Sequence, residues 1–197
     1  MAKSTRQRPD SKGQLRIIGG QWRGRKLQFT ATDGLRPTTD RVRETLFNWL
    51  MSELPTARCL DLFAGSGALG LEALSRGAAH CDFVDNNAIA QREISTHLTT
   101  LAATDRGTCH TSSAADFLSR LDETHEPYTV VFLDPPFGRE LIAPVAAILE
   151  ARALLASGAY IYVECAVQEH LPELPKSWNL HREKTAGGVA YRLFVRS

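Results

Sequence analysis

The strongest chemical signal in the sequence is a carboxylate followed by two prolines and an aromatic residue. The apolar run at 130–133 ends in Asp134, Pro135, Pro136 and Phe137. Because proline has no N–H and a fixed φ, this pattern predicts a rigid loop after a buried strand. Asp134 and the Pro135 carbonyl could accept hydrogen bonds from an exocyclic amino group, while Phe137 could stack on the base that carries it. We therefore predict that these four residues form the catalytic site.

A glycine-rich turn predicts a second ligand site. The apolar run at 59–63 stops at Gly65, Gly67 and Gly70, and an apolar helical pattern begins at once. This order indicates a strand, a tight turn and a helix, with glycines that let a ligand lie against the backbone. A nucleotide-like ligand is the first hypothesis, and a turn that merely needs glycine is the alternative.

Two carboxylates suggest the chemical class of that ligand. Asp85 closes the next predicted strand, where it can accept both hydroxyl protons of a ribose. Together with the three glycines it also satisfies the dinucleotide fingerprint, so an NAD-dependent enzyme has to be considered. Asp61 precedes the first glycine by four residues and would repel a pyrophosphate, but it suits the ammonium and sulfonium charges of S-adenosylmethionine. Charge therefore favours a methyl donor.

Asp116 and Phe117 follow the third predicted strand, whose end lies beside the ribose site in a sheet of this kind. Asp116 could bind the adenine amine while Phe117 covers the ring. Alternatively, Ser112, Ser113 or Asp116 only caps the next helix, and the residues alone leave both interpretations open. The predicted cofactor-binding residues are Asp61, Phe63, Gly65, Gly67, Asp85, Asn86, Asp116 and Phe117.

An alternating α/β fold is needed to position these residues. Apolar patterns from 58 onward alternate between strands and helices, which predicts a mainly parallel sheet with helices on both faces. The last segment instead predicts two antiparallel strands around a glycine turn, so the fold class is a Rossmann-like, seven-stranded sheet with a C-terminal hairpin. The predicted strands are 58–63, 80–84, 107–111, 128–133, 158–164, 178–184 and 189–195, and the helices between them are 68–76, 87–102, 114–122 and 139–152.

The N-terminal part of the chain is strongly basic. Residues 1–44 hold eleven Lys and Arg against four Asp and Glu, a net charge of +7, whereas the remainder carries −6. Two extended runs bridged by glycine predict a small hairpin around an aromatic side chain, and Thr39 or Asp40 can cap a helix that packs on the body. Basic residues interleaved with an aromatic suit nucleic acid, although a structural hairpin with a solvated face fits the composition nearly as well. The predicted nucleic-acid contacts are Arg16, Trp22, Arg23, Arg25, Lys26, Arg36, Arg41 and Arg43.

We divide the chain into a disordered basic tail at 1–13, a basic extension at 14–54 and an enzyme core at 55–197. No apolar run is long enough to cross a bilayer, and the N-terminus lacks a hydrophobic leader. We therefore expect a cytoplasmic protein that does not bind membranes. The cysteines and histidines are scattered, so no metal site is expected, and no feature demands more than a monomer.

Taken together, the motifs resemble a known family. Asp61-Leu-Phe-Ala-Gly-Ser-Gly with Asp134-Pro-Pro-Phe is similar to the class I S-adenosylmethionine-dependent amino-methyltransferases. Arg16-Ile-Ile-Gly-Gly and the run from Leu35 to Asn48 narrow the resemblance to the RsmD family, which methylates guanine N2 in 16S ribosomal RNA. The resemblance extends from Leu15 to the final hairpin and implies a substrate in an assembled or assembling small ribosomal subunit.

The resemblance also implies a role for each motif. Asp61, Gly65 and Gly67 would line the methionine end of the donor, Asp85 would bind its ribose, and Asp116 its adenine. Residues 134–137 would hold the target base. Two alternatives remain: adenine-N6 methylation of DNA or RNA, because the Asp-Pro-Pro motif does not name the base, and a non-catalytic RNA-binding assembly factor that keeps the fold.

Overall fold

The computed structural model describes residues 11–31, 39–122 and 124–197. None of the helices in these ranges is both long enough and apolar enough to cross a membrane. The strands are β1 (Ser11–Arg16), β2 (Lys26–Ala31), β3 (Arg58–Asp61), β4 (His80–Asp85), β5 (Gly107–Thr111), β6 (Tyr128–Leu133), β7 (Leu155–Ala166), β8 (Trp178–Ala186) and β9 (Val189–Arg196), and the α-helices are α1 (Asp40–Trp49), α2 (Ala68–Ser75), α3 (Ala88–Thr100), α4 (Ala114–Arg120) and α5 (Ile142–Ala151).

Seven of these strands form one sheet in the order β5-β4-β3-β6-β7-β9-β8. The first five run parallel to one another, whereas β9 is antiparallel to both β7 and β8. The predicted fold class is therefore confirmed, including the C-terminal hairpin. Strand β7 is longer than the predicted 158–164, because Leu155 already pairs with Tyr128 before an irregularity in the ladder.

Alternate side chains of the sheet enter two hydrophobic cores, one on each face. Phe132 and Tyr162 point to the side covered by α1, α2 and α3, which we call the α1 face. Leu133 and Val163 point to the opposite side, under α4 and α5, which we call the α5 face. Since side chains alternate along a strand, the face of a neighbouring residue follows from its position.

Helix α1 joins the N-terminal extension to the sheet. It begins as predicted, with the Thr39 hydroxyl accepting a hydrogen bond from a backbone N–H three residues later at 3.4 Å. The ring centroids of Phe47 and Phe132 are 6.0 Å apart, and Trp49 stacks on Tyr191 at 5.5 Å with an interplanar angle of 29°. These aromatic pairs fix α1 over strands β6 and β9.

Strands β1 and β2 form the predicted hairpin of the extension. They pair antiparallel, with Ser11 opposite Ala31 at the open end. Strand β1 thus starts three residues before the predicted boundary. Gly13 lies in this added part, and the Phe29 ring covers it so closely that a β-carbon there would come within 2.4 Å. Residues 1–10 of the predicted tail lie outside the described residues.

A buried carboxylate on α2 holds the extension against the core. Glu72 is fully buried and accepts hydrogen bonds from the backbone N–H groups of Ile18 and Gly19, both at 2.8 Å. It also accepts from Arg76 Nε at 2.7 Å. Because a charged acceptor strengthens each of these bonds, the loop between β1 and β2 is tied firmly to α2.

A second buried carboxylate links four strands on the α5 face. Asp82 accepts from Tyr128 Oη at 3.0 Å and Arg58 NH2 at 3.3 Å, and its Oδ1 lies 2.8 Å from His110 Nε2. Burial would raise the pKa of this carboxyl, but hydrogen bonds from His110 and His80 outweigh burial and hold the Asp82 pKa well below its usual range. Asp82 thereby crosslinks β3, β4, β5 and β6.

Candidate active site

The turn between β3 and α2 has the conformation that the glycines predict. Gly65 has φ of +50° and Gly67 has φ of +76°, in the left-handed region that favours glycine. A β-carbon on Gly67 would also lie 3.0 Å from Ile94. Helix α2 starts directly after Gly67, so its first backbone N–H groups face the loop at the carboxyl edge of the sheet.

The third glycine of the motif has a different role. A β-carbon on Gly70 would lie 2.2 Å from the Phe83 ring and 2.8 Å from the sulfur of Cys81. Gly70 therefore allows α2 to pack closely on β4 and does not make room for a ligand, in contrast to the expectation from its spacing. Only the first two glycines belong to the open part of the loop.

Asp85 connects the glycine loop to the next strand. Its Oδ2 accepts from Gly65 N at 2.9 Å and its Oδ1 accepts from Asn87 N at 2.8 Å. The carboxylate is half-buried and keeps further acceptor capacity for a ligand hydroxyl. Asn86 is exposed beside it, while Asn87, which was not predicted, caps α3 by accepting from Ile89 N at 2.9 Å.

Asp61 is a buried carboxylate at the base of the loop. It is 2% exposed and accepts a hydrogen bond from Gly70 N at 2.9 Å. Burial raises its pKa to about 7; the Gly70 N–H opposes this shift, and the negative charge of Asp85 adds to it. No described Lys or Arg forms an ion pair with Asp61. A ligand carrying an ammonium or sulfonium group would supply the missing positive charge, so the residues fit S-adenosylmethionine.

The remaining residues predicted for the cofactor lie nearby but have clear structural roles. Phe63 is half-buried against the α5-face core. Ser113 caps α4, accepting from Asp116 N at 3.1 Å and donating to Asp116 Oδ2 at 2.7 Å, so the helix-cap alternative is observed. Phe117 is 7% exposed and its ring lies 4.6 Å from that of His110. An adenine contact by Asp116 or Phe117 stays a prediction.

The Asp-Pro-Pro-Phe loop lies next to the glycine loop. Strands β3 and β6 are paired, with Asp61 opposite Phe132, so Asp134 follows two residues beyond that pair at the same edge. Pro135 is buried, whereas Pro136 is exposed and Phe137 is 39% exposed. The loop thus combines a fixed backbone with an aromatic ring that is open to a ligand.

Sequence reasoning missed a tyrosine and a glutamate beside Asp134. Tyr162 donates its hydroxyl to Glu164 Oε2 at 2.6 Å, and Glu164 is 4% exposed. Burial raises the pKa of Tyr162 well above its usual value, and the charges of Glu164 and Asp134 raise it further. The hydroxyl therefore stays a donor. Alternation in β7 was a usable signal, because it places residues 162 and 164 on the same face as Asp134.

The turn after β7 contacts the turn after β6. Glu169 accepts hydrogen bonds from Gly138 N and, at 3.3 Å, from Ala166 N. Gly138 has φ of +72°, and the Phe137 side chain precedes it directly. The end of β7 therefore supports the Asp-Pro-Pro-Phe loop. Within the described ranges, no group of three or more His, Cys, Asp or Glu side chains could hold a metal ion.

Trp22, predicted to contact nucleic acid, is buried instead. It is 9% exposed, its backbone N–H donates to Ser75 Oγ at 3.0 Å, and the Arg106 guanidinium lies 5.7 Å from its ring centroid. The ring belongs to the α1-face core, so it is not available to stack on a base. Its hydrophobic area anchors the extension to α2.

Arg43 was also predicted to contact nucleic acid, but its side chain is buried. The residue is 1% exposed, and its NH2 donates to Asp40 Oδ1 at 2.6 Å and to the Arg16 carbonyl at 2.9 Å. Its NH1 lies 3.8 Å from Glu72 Oε2, which draws the guanidinium inward. Arg43 therefore joins α1 to the extension and leaves the RNA-contact set.

The other predicted basic contacts keep exposed side chains. Arg16 is 57% exposed although it forms an ion pair with Asp40 at 3.0 Å. Arg36 lies outside the described residues. The predicted contacts that remain exposed are Arg16, Arg23, Arg25, Lys26 and Arg41.

Comparison with known proteins gives consistent matches over nearly the whole chain. A family model described as "Conserved hypothetical protein 95" matches residues 15–195. Ribosomal RNA small subunit methyltransferase D of Escherichia coli strain K12 is 52% identical over 184 residues, covering 93% of this chain and 91% of its own length. The protein of the same name from Haemophilus influenzae is 43% identical, covering 95% and 97%.

A solved structure supports the same relationship. The structure of yhhF from Escherichia coli superposes with a TM-score of 0.84 at 49% sequence identity, covering 94% of this chain and 99% of that one. The similarity therefore includes both loops at the carboxyl edge and the N-terminal extension.

Proposed function

We propose, since this chain belongs to the RsmD family of methyltransferases, that it transfers a methyl group from S-adenosylmethionine to the N2 amine of a guanine in 16S ribosomal RNA. The observation that carries the proposal is the pairing of β3 with β6, which brings the glycine loop and the Asp-Pro-Pro-Phe loop side by side. A methyl donor and a target amine need two such adjoining half-sites.

In this proposal the glycine loop holds the donor. S-adenosylmethionine supplies a methyl carbon activated by its sulfonium charge. Asp61 provides the negative charge that faces the cationic methionine end, and Asp85 accepts the ribose hydroxyls while it keeps the Gly65 N–H in place. The buried position of Asp61 strengthens this attraction, because the surrounding dielectric is low.

The Asp-Pro-Pro-Phe loop presents the amine. Asp134 and the Pro135 carbonyl accept hydrogen bonds from N2, which hold the nitrogen in line with the methyl group. Asp134 would also accept the proton that the amine releases when it takes up the methyl group. Phe137, at 39% exposure, stacks on the guanine once it leaves its helix.

The exposed basic residues of the extension would bind the RNA backbone. The substrate we propose is 16S RNA within an assembled or assembling small ribosomal subunit, and the enzyme acts as a cytoplasmic monomer. The net charge of +7 on residues 1–44 favours a polyanion at this end of the chain.

Nucleoside analysis tests the proposal directly. The protein would be incubated with methyl-labelled S-adenosylmethionine and small ribosomal subunits from an Escherichia coli strain that lacks its methyltransferase D. We expect the label in N2-methylguanosine. Label in N6-methyladenosine would instead indicate an adenine methyltransferase, and the absence of label would indicate a non-catalytic RNA-binding factor.

Two variants test the assignment of the half-sites. Asp134→Ala should abolish methyl transfer while calorimetric binding of S-adenosylmethionine persists, because it removes only the amine acceptor. Asp85→Ala should weaken donor binding first, because it removes the ribose acceptor and releases the Gly65 N–H. Loss of donor binding in Asp134→Ala would contradict the assignment.

A further inference from the structure

We propose that two basic side chains of the edge strand β8, Arg182 and Lys184, bind the phosphate backbone of the RNA substrate. This inference rests on the proposed function and adds a second RNA-binding surface to the extension. The two side chains are defined here as the β8 basic pair. Neither residue was a candidate in the sequence, where the same segment only predicts a strand.

The register of the sheet places the β8 basic pair level with the proposed catalytic loop. Lys184 pairs with Tyr191, which pairs with Glu164 in β7. The last pair between β6 and β7 is Leu133 with Val163, so Asp134 and Glu164 each follow it by one residue and lie side by side. Three strand spacings of about 4.8 Å separate Asp134 from Lys184, a distance of about 14 Å across the sheet.

The β8 basic pair lies on the same face as the proposed target-base site. Ala186 at the end of β8 packs against the α1-face core, and alternation gives residues 182 and 184 the same direction. The ladder is irregular between Leu180 and Arg182, and the His181 ring lies 6.1 Å from that of Tyr160, which also borders this core. The exposed part of β8 therefore continues the surface that carries α1.

Both cations are free to bind an anion. All residues from 179 to 185 are exposed, and no ion pair of Arg182 or Lys184 occurs in the described part of the chain. Their acidic neighbour Glu183 points to the α5 face, where its Oε1 lies 2.6 Å from Arg192 Nε. The pair thus keeps its full positive charge on the α1 face.

The position of the pair favours an RNA strand over other anions. Lys184 lies at the same edge of the sheet as the Asp-Pro-Pro-Phe loop, about 14 Å from Asp134, so an RNA strand whose base occupies the site could place its backbone on the pair. Charged residues on an edge strand also protect proteins against edge-to-edge pairing, which is the competing explanation. The two explanations predict different results for the same variant.

The test compares two double variants with equal loss of charge. Arg182→Ala/Lys184→Ala removes the pair, and Arg120→Ala/Lys176→Ala removes two exposed basic residues that lie away from the carboxyl edge. Binding to methylation-deficient small ribosomal subunits would be measured at several salt concentrations. For the first variant only, we expect about tenfold weaker binding. We also expect the slope of log K against log salt concentration to decrease in magnitude by about 1.4, because each lost contact with single-stranded RNA contributes about 0.7.

Unchanged affinity and salt slope in Arg182→Ala/Lys184→Ala would overturn the proposal, and self-association of that variant in light scattering would then identify β8 as a protected edge. Equal losses in both double variants would also overturn it, because the effect would be one of net charge. The methyl-transfer assay of the wild type distinguishes failure of this proposal from failure of the proposed enzyme function. If Arg182→Ala/Lys184→Ala selectively loses binding but the wild type transfers no methyl group, the enzyme function is refuted and the RNA-binding surface on β8 is retained.

Discussion

Lowering the pH from 8 to 6 should weaken the binding of S-adenosylmethionine about tenfold, because Asp61 titrates within this interval. Its pKa of about 7 results mainly from burial. A carboxyl with this pKa is about 90% ionised at pH 8 and about 10% ionised at pH 6. If the cationic donor binds only the ionised form, the affinity ratio is about ten, equivalent to about 1.4 kcal/mol.

Calorimetric titration at pH 6, 7 and 8 and constant ionic strength would measure this effect. Asp61→Asn is the matched control, because the amide oxygen can still accept from Gly70 N while the charge is lost. The variant should bind with the wild-type affinity of about pH 6 or weaker, and its affinity should not rise between pH 6 and pH 8. A flat wild-type profile would refute the argument, and an equal slope in Asp61→Asn would assign the titration to another group.

Three further predictions concern the buried polar groups. Glu72→Gln should reduce the free energy of unfolding by about 3 kcal/mol, because it leaves Arg76 without its counter-charge and the buried Arg43 with Asp40 alone. The thermal midpoint should fall by about 6–12 °C, and an equal loss in the exposed control Glu44→Gln would contradict this. Tyr162→Phe removes the hydroxyl that orients Glu164 beside Asp134, so kcat should fall about tenfold in steady-state assays with little change in donor affinity. A wild-type kcat in this variant would mean that Tyr162 contributes only to packing. Urea unfolding at pH 5 and pH 3 should show a larger loss of stability in the wild type than in Asp82→Asn. The reason is that the pKa of Asp82 is lowered in the folded state, so its carboxylate stabilises the fold above the unfolded pKa of about 4 and loses that contribution as the pH falls. Equal losses in both proteins would count against the role of Asp82.

The sequence predicted the ends of the central strands to within two residues: β4 and β6 end where their apolar runs meet Asp85 and Asp134, whereas β3 ends at Asp61, two residues before the predicted boundary. Asp61, Asp85 and Asp134 are all found at the carboxyl edge, as expected for parallel strands. The helix cap at Thr39 and the C-terminal hairpin were equally accessible, because short-range side-chain chemistry determines both.

The direction of long side chains in the extension could not be predicted in the same way. Trp22 and Arg43 have the residue types of an RNA contact, but their partners Ser75 and Glu72 are distant in sequence. Only the docking of the extension on α2 decides that these side chains point inward. The role of Gly70 was mispredicted for a related reason, because the side chains that pack against it, Phe83 and Cys81, lie on β4 and outside the glycine motif.

The anchoring of the extension also determines when it can fold during translation. Its hydrogen bonds from Gly19 to Glu72 and from Thr30 to Glu93 join residues 53 and 63 positions apart. A two-stranded hairpin is marginally stable alone, and the ribosome releases it before its helical partners. The extension of the nascent chain should therefore remain unfolded until the core has emerged. The protein would then become able to bind RNA at the same time as its donor site is completed.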